Sequence, residues 1–446
     1  MGKLALVTKV GTTDPGLSFP EGVYEASANV SILHNEDKSD ISIGRFLTAL
    51  KKLRLEPTER MMDLLVIAVS MYSADTRINR KDFAEDSWTR MIDLYIPVED
   101  PDFWNGQVGL LQKIFRFLTG DIWNITFRNR TDPDQTLSPR STYSKYGMPY
   151  ETDTVCLFSG GMDSFIGAVD LLENGIRPLL VGHAKSNDVS KYQRICGEAL
   201  DSHYGDQTPE RIYAFVRTPK EDLFGDSENT ERGRSFLFLA LGAICAASLS
   251  DSSTLVVPEN GIISLNIPLT PLRVGSHSTR TTHPHYFSLM HTLFNNMGSG
   301  VTIFNPYQFK TKGEMLKECL NQQLVVDTET MSCSHPFVWR SKINAHCGYC
   351  VPCIIRQAAF HASGLQDKFV YRNDIFDEQG LDIKTSKGAD ALAFKYMIEK
   401  VKKKPDYLYA SIRNTGPLGN DVSGFVDVYR RALDEVDSLI NSVKLV

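Results

Sequence analysis

The chain has 446 residues, 42% of them hydrophobic and 23% charged, with a formal net charge of −6. Such a length predicts two or three domains with room for a sizeable core. The acidic balance argues against a broad nucleic-acid-binding face. With no apolar run of spanning length and no signal-peptide pattern, the chain reads as cytoplasmic and off the membrane.

Residues 1–130 read as a small α+β module. "TERMMDLLVIAVSMYSADTRI" has helical apolar spacing. "RMIDLYIPV" and "DIWNITFRNR" read as strands, with a helix from Trp104 to Leu118 between them. Residues 131–152, rich in Pro, Ser, Thr and Asp, predict a linker. From residue 153 to 363 the rhythm alternates. "TVCLFS", "RPLLVGH", "RIYAFV", "STLVVPEN" and "VTIFNP" read as strands with helices between them. Alternation with continuously apolar strands predicts an α/β fold, a parallel sheet with helices on both faces. Ligands in such sheets bind at the carboxyl ends of the strands. Residues 364–446 predict a helical extension.

"SGGMDS" lies between the first of these strands and its helix. Gly160 and Gly161 remove Cβ atoms, so backbone N–H groups can converge on an anion. The helix N-terminus adds unpaired N–H donors and partial positive charge. Ser159 and Ser164 add hydroxyls, and Asp163 suits a magnesium ligand beside phosphate. This is neither a Walker A nor a G-x-G-x-x-G pattern.

Four of the eight cysteines cluster: Cys333, then Cys347, Cys350 and Cys353. C-x2-C-x2-C with a fourth thiol upstream suits a closed tetrahedral zinc site. An iron–sulfur cluster is the alternative with the same donors. His335 and His346 are spare ligands. Cys156, Cys196, Cys245 and Cys319 sit in apolar surroundings and read as buried small hydrophobes.

"SGGMDS" resembles the pyrophosphate loop of the ATP pyrophosphatase (PP-loop, HUP-like) superfamily. With the cysteine cluster, residues 153–363 resemble the 7-cyano-7-deazaguanine synthase (QueC) family. "RGRSFLFLALGAICA" resembles that family's P-G-R-N-x-x-F-L helix start, placing Arg234 on its arginine. "FKTKGEMLKECL" resembles its N-K-x-E segment, placing Lys312 and Glu314. The resemblance implies binding of ATP and magnesium by Ser159, Gly160, Gly161, Asp163 and Ser164. It implies Asp163, Arg234 and Lys312 as catalytic groups, Zn2+ on the four cysteines, and adenylation of a deazaguanine carboxylate. Glu259, Asn260, Arg273, Arg280, His283 and His285 are the candidate substrate residues, in or next to an insertion that differs from the family's. His183, at a strand end, reads as structural.

The length and layout resemble the QueC-like component of the Qat anti-phage system. That likeness implies amide formation with the amine of a protein partner encoded beside it, with residues 1–130 as a partner-binding module. A free-standing synthase using ammonia and a non-catalytic nucleotide-binding scaffold are the alternatives. The acidic charge argues against tRNA thiolation.

Overall fold

The computed structural model describes residues 2–446 except 33–39, 85, 87, 132–135, 141–149, 185, 186, 217, 219–223, 229, 231, 271–279, 336–345, 377–379 and 442. The first unit comprises β1 (Leu4–Val10), β2 (Ala26–Ile32), α1 (Gly44–Lys52), α2 (Glu59–Arg77), α3 (Arg80–Phe83), β3 (Met91–Val98), α4 (Pro101–Thr119) and β4 (Ile122–Asn129). Helices and strands mix as expected, and all three strand pairings are parallel, in the order β2-β1-β3-β4. Leu4 pairs with Ala26 on one side and Ile92 on the other, so β1 is central. That position explains why "LALV" is wholly buried.

The second unit comprises β5 (Thr154–Leu157), α5 (Met162–Glu173), β6 (Leu179–Ala184), α6 (Asn187–Tyr204), β7 (Arg211–Phe215), α7 (Arg234–Ala247), β8 (Ser253–Val256), α8 (Gly261–Leu265), α9 (Pro284–Met297), β9 (Val301–Phe304), α10 (Lys312–Glu318), α11 (Gln322–Asp327) and α12 (Val351–Ser363). Its sheet is parallel throughout, in the order β7-β6-β5-β8-β9. The direction of winding reverses between β5 and β8, and ligands of open α/β sheets bind at such a switch point.

Alternate residues of these strands serve opposite faces. Val155, Leu157, Leu179, Val181 and Leu255 pack with α7. Cys156, Leu180 and Val256 pack with Phe165 and Ile166 of α5, Met315 of α10 and Ala359 of α12. This is why the strands read as unbroken apolar runs.

Helix α2 is buried from Met61 through Asp75. It packs on β1 and β3 and also on α7, so one hydrophobic core runs from the first sheet into one face of the second. Beside this contact the first unit holds a buried ion-pair cluster. Arg90, fully buried, donates to Asp75 Oδ1 at 2.8 Å and to Asp121. Arg80 reaches Asp121 at 2.8 Å and lies 3.8 Å from Asp75. Asp75 Oδ2 also accepts from Gly233 N at 2.8 Å, at the start of α7.

The last unit comprises α13 (Ser386–Lys403), α14 (Asp406–Arg413) and α15 (Val422–Ile440). The α15 residues Phe425, Val428, Tyr429, Ala432, Leu433 and Val436 form a helical stripe that packs with α8, α12 and α13 in a separate core. Among the described residues, no helix is long and apolar enough to cross a membrane.

Candidate functional site

The β5–α5 turn is built by its own small residues. Gly160 has φ +80°, and a Cβ there would lie 2.8 Å from Gln193 N. Only glycine holds that conformation without strain. Gly161 caps α5 in extended conformation. Ser159 N donates to Ser164 Oγ at 3.2 Å, and Ser164 Oγ donates to Gly161 O at 3.0 Å. The two serine hydroxyls stand 3.1 Å apart.

Asp163, in the first turn of α5, gathers residues distant in sequence. Asn260 Nδ2 donates to its Oδ2 at 2.6 Å. Lys312 Nζ lies 2.9 Å from its Oδ1. Asn260 is itself the N-cap of α8, accepting from Ile263 N at 3.2 Å. Lys312 opens α10 behind a capping box: Thr311 Oγ1 accepts from Glu314 N at 3.0 Å, and Thr311 N donates to Glu314 Oε2 at 2.9 Å. Both carboxylate oxygens of Asp163 are therefore engaged. The carboxylate organises Lys312 and Asn260 at the start of α5.

Arg234 opens α7. Its Nε donates to His183 Nδ1 at 3.2 Å and its Nη2 to His183 O at 3.1 Å. Burial lowers its pKa from the usual guanidinium value. His183 is thus a buried structural partner, as read from the sequence. Glu259 follows β8. Thr282 Oγ1 donates to its Oε2 at 2.5 Å, and its backbone carbonyl accepts from Asn305 Nδ2 at 2.9 Å. Burial pushes the Glu259 carboxyl up to about 7, with the nearby Asp163 charge adding to the rise. Sequence reasoning missed Thr282 and Asn305. The one available signal was "NP" directly after the apolar run of β9, at the ligand edge of the sheet.

A cleft of about 180 Å³ opens at the carboxyl ends of β5 and β8. It is lined by Leu157, Ser159, Ser164, Arg234, Ser235, Phe238, Val257, Pro258, Glu259 and Thr281. The structure thus brings together Ser159, Ser164, Arg234 and Glu259, with Asp163, Asn260 and Lys312 joined to one another beside the turn.

Arg280, His283 and His285 gather elsewhere, around Phe117 of α4. His283 is fully buried, N-caps α9 by accepting from His285 N at 3.2 Å, and bonds Thr415 Oγ1 at 2.9 Å. Burial pushes its pKa to about 3, so it is neutral. These three residues fix the packing of α4 and α9 and do not line the cleft. Arg273 lies outside the described residues.

The four cysteine sulfurs all lie within 4.8 Å of one another. Cys333 and Cys350 sulfurs are 3.9 Å apart, and Cys347 and Cys353 sulfurs 3.8 Å. A tetrahedron with Zn–S bonds of about 2.3 Å has edges of about 3.8 Å, so the donor set fits zinc. Gly348 makes the turn at φ +90°, where a Cβ would lie 2.2 Å from Asn373 O. Backbone N–H groups of His335, Cys347 and Cys350 point at the sulfurs. His346 bonds Thr330 O through Nε2 and stands outside the group of four sulfurs.

Residues 282–364 match a family model. Its description is queuosine biosynthesis protein QueC. The matched segment runs from α9 through α12, so it holds Lys312 and all four cysteines. The chain is also 25% identical over 237 residues to a 7-cyano-7-deazaguanine synthase of Psychromonas ingrahamii. That match covers 49% of this chain and 97% of the relative. Both support the QueC family. Nearly the whole relative is matched by about half of this chain, and the remaining half is additional to it.

Proposed function

We propose that this chain uses ATP to activate a carboxylate, 7-carboxy-7-deazaguanine, and then joins the acyl group to an amine. The observation that carries the reading is the switch-point cleft, where the Ser159–Ser164 turn and Arg234 face Glu259, beside the Lys312–Asp163 pair. The QueC match and the synthase relative supply the substrate class.

In this reading the ATP phosphates rest on the turn and the N-terminus of α5. A substrate carboxylate oxygen attacks the α-phosphorus, the bond to the bridging oxygen breaks, and pyrophosphate leaves. Arg234 and Lys312 stabilise the charge that develops. An amine nitrogen then attacks the acyl carbon and the C–O bond to AMP breaks. Glu259 takes the amine proton, which suits a carboxyl of pKa about 7. Magnesium would come with the nucleotide, and Asp163, at the start of α5, is the residue that would hold it. Zinc on the four thiolates is structural, since all four positions are filled by protein.

The acceptor we propose is the N-terminal amine of a protein partner, in an anti-phage setting in the cytoplasm. What supports it is the half of the chain beyond the synthase relative and the layout's resemblance to the Qat component. We assign residues 153–363 as the catalytic unit, flanked by 1–130 and 364–446. Release of an amide or nitrile nucleobase with ammonia is the second reading, favoured by the match over 97% of the synthase.

Intact mass spectrometry of the chain co-expressed with its genomic neighbour tests the assignment, with Asp163→Ala as control. A deazaguanine-amide increment on the neighbour, absent in the control, is expected. A free amide or nitrile with AMP and no increment establishes the second reading. No AMP under either condition overturns both.

A further inference from the structure

Helix α15 approaches both loops that carry the partners of Asp163, and neither has room for a Cβ. At Gly261, next to Asn260, a Cβ would lie 2.8 Å from Val428 Cγ1. At Gly313, next to Lys312, it would lie 2.5 Å from Glu435 Oε1. In return, Gly424 of α15 brings its backbone against Phe309, where a Cβ would lie 2.8 Å from the ring. Real Cβ contacts are not that short, so the glycines are the condition for the close approach.

At the Lys312 end the contact is polar and regular. Glu435 accepts from Thr311 Oγ1 and from Gly313 N. Arg431 pairs with Glu314, the other half of the Thr311 capping box, and donates to Phe309 O at 2.9 Å. Residues 309, 311, 313 and 314 are thus each held by one helix, and Lys312 lies in the middle of the held segment. Its side chain is nearly buried and ends on Asp163 at 2.9 Å.

We propose that Glu435 is a positioning residue for Lys312, through which the C-terminal helix sets the lysine on Asp163. A lysine stem carries about 2 kcal/mol of rotamer entropy, so an ammonium lands on one carboxylate only when its backbone is fixed. The two acceptor bonds of Glu435 fix it on both sides, at residues 311 and 313. The catalytic meaning of this brace rests on the proposed role of Lys312, but the brace itself does not. It also gives the C-terminal extension a task within the site.

Amine-reactive labelling of Lys312, read by mass spectrometry on the full chain, tests it. Wild type, Glu435→Ala, Glu435→Gln and Glu435→Asp are compared, with melting temperatures and AMP-forming turnover measured in parallel. Glu435→Ala is expected to speed Lys312 labelling about tenfold, the effect of losing a charge-assisted hydrogen bond of about 1.5 kcal/mol. It should lower kcat more than it raises KM for ATP. Glu435→Gln keeps an acceptor for Thr311 and should restore most of the protection. If Glu435→Ala does not fold, Glu435→Asp, whose shorter side chain cannot hold both Thr311 Oγ1 and Gly313 N, carries the same test. Labelling of Lys312 at the wild-type rate in the folded variant overturns the proposal. Absence of turnover in the wild type counts against the proposed function alone, and the labelling still decides the brace.

Discussion

Met331 donates its N–H to the Gly160 carbonyl at 2.9 Å, two residues before Cys333. A Cβ on Gly161 would in turn lie 3.3 Å from Met331 O. The Ser159–Ser164 turn and the four-cysteine knuckle are therefore joined by one short stretch of chain.

From this link, metal removal should act on nucleotide binding as well as on stability. Elemental analysis should give one zinc per chain with no visible-range absorption. Cys350→Ser should lose the metal and lower stability by several kcal/mol, the scale on which structural zinc contributes. Affinity for a non-hydrolysable ATP analogue should fall with it. An iron-type absorption band would replace zinc by a cluster.

The pairing of Lys312 with Asp163, with the proposed role of the lysine, predicts a strong catalytic effect together with a cost in stability, because Asp163 loses its cation partner. Lys312→Ala should lower kcat/KM by a factor of about 100–1000, the usual effect of removing one transition-state charge partner. Steady-state AMP formation measures it, and a melting temperature still well above the assay temperature separates it from unfolding.

Glu259 predicts the pH profile. Its carboxyl is held up to about 7, so the ionised base grows as pH rises. Turnover should climb through about pH 7 and level off, and Glu259→Gln should remove the step. Stability runs the other way. Between the ordinary value of 4.5 and about 7 the folded state keeps a proton that the unfolded chain has released. Stability therefore falls as pH rises through that window, and Glu435, also pushed up to about 7 chiefly by burial, adds the same sign. Urea midpoints at pH 5 and pH 7.5 should show the decline, and it should shrink in Glu259→Gln.

The packing of α2 on α7 and the bond from Gly233 N to Asp75 predict that the first unit cannot be removed. Asp75→Ala removes one of the two carboxylates that pair with the buried Arg90 and takes a partner from Arg80, costing about 3–5 kcal/mol. It also frees Gly233 N, next to Arg234, so ATP-analogue affinity should fall alongside the melting temperature. A chain starting at residue 151 would expose the α7 face that α2 covers. It should bind hydrophobic dye and lose its near-ultraviolet circular dichroism.

Everything that depends on local pattern was already legible before folding. The alternating unit from Thr154 was readable because parallel strands are covered on both faces and so run apolar without a break. The Ser159–Ser164 turn and the cysteine spacing were readable because glycine conformation and thiolate chemistry act within a few residues. β1 was missed because "LALV" is a short apolar run until two neighbouring strands pair with it. The grouping of Asp163 with Asn260 and Lys312 spans 97 residues to the first and more to the second, and no local signal encodes such a meeting. His283 shows the converse: a histidine in a promising insertion turns out to cap a helix, because burial holds it neutral and both ring nitrogens are taken. Only the packing of α2 against α7 and of α15 against α8 and α10 decided what the two extensions cover. The apolar stripes of those helices can be read in the sequence. What each stripe covers depends on which surfaces the rest of the chain leaves uncovered, and that exists only once the sheets have formed.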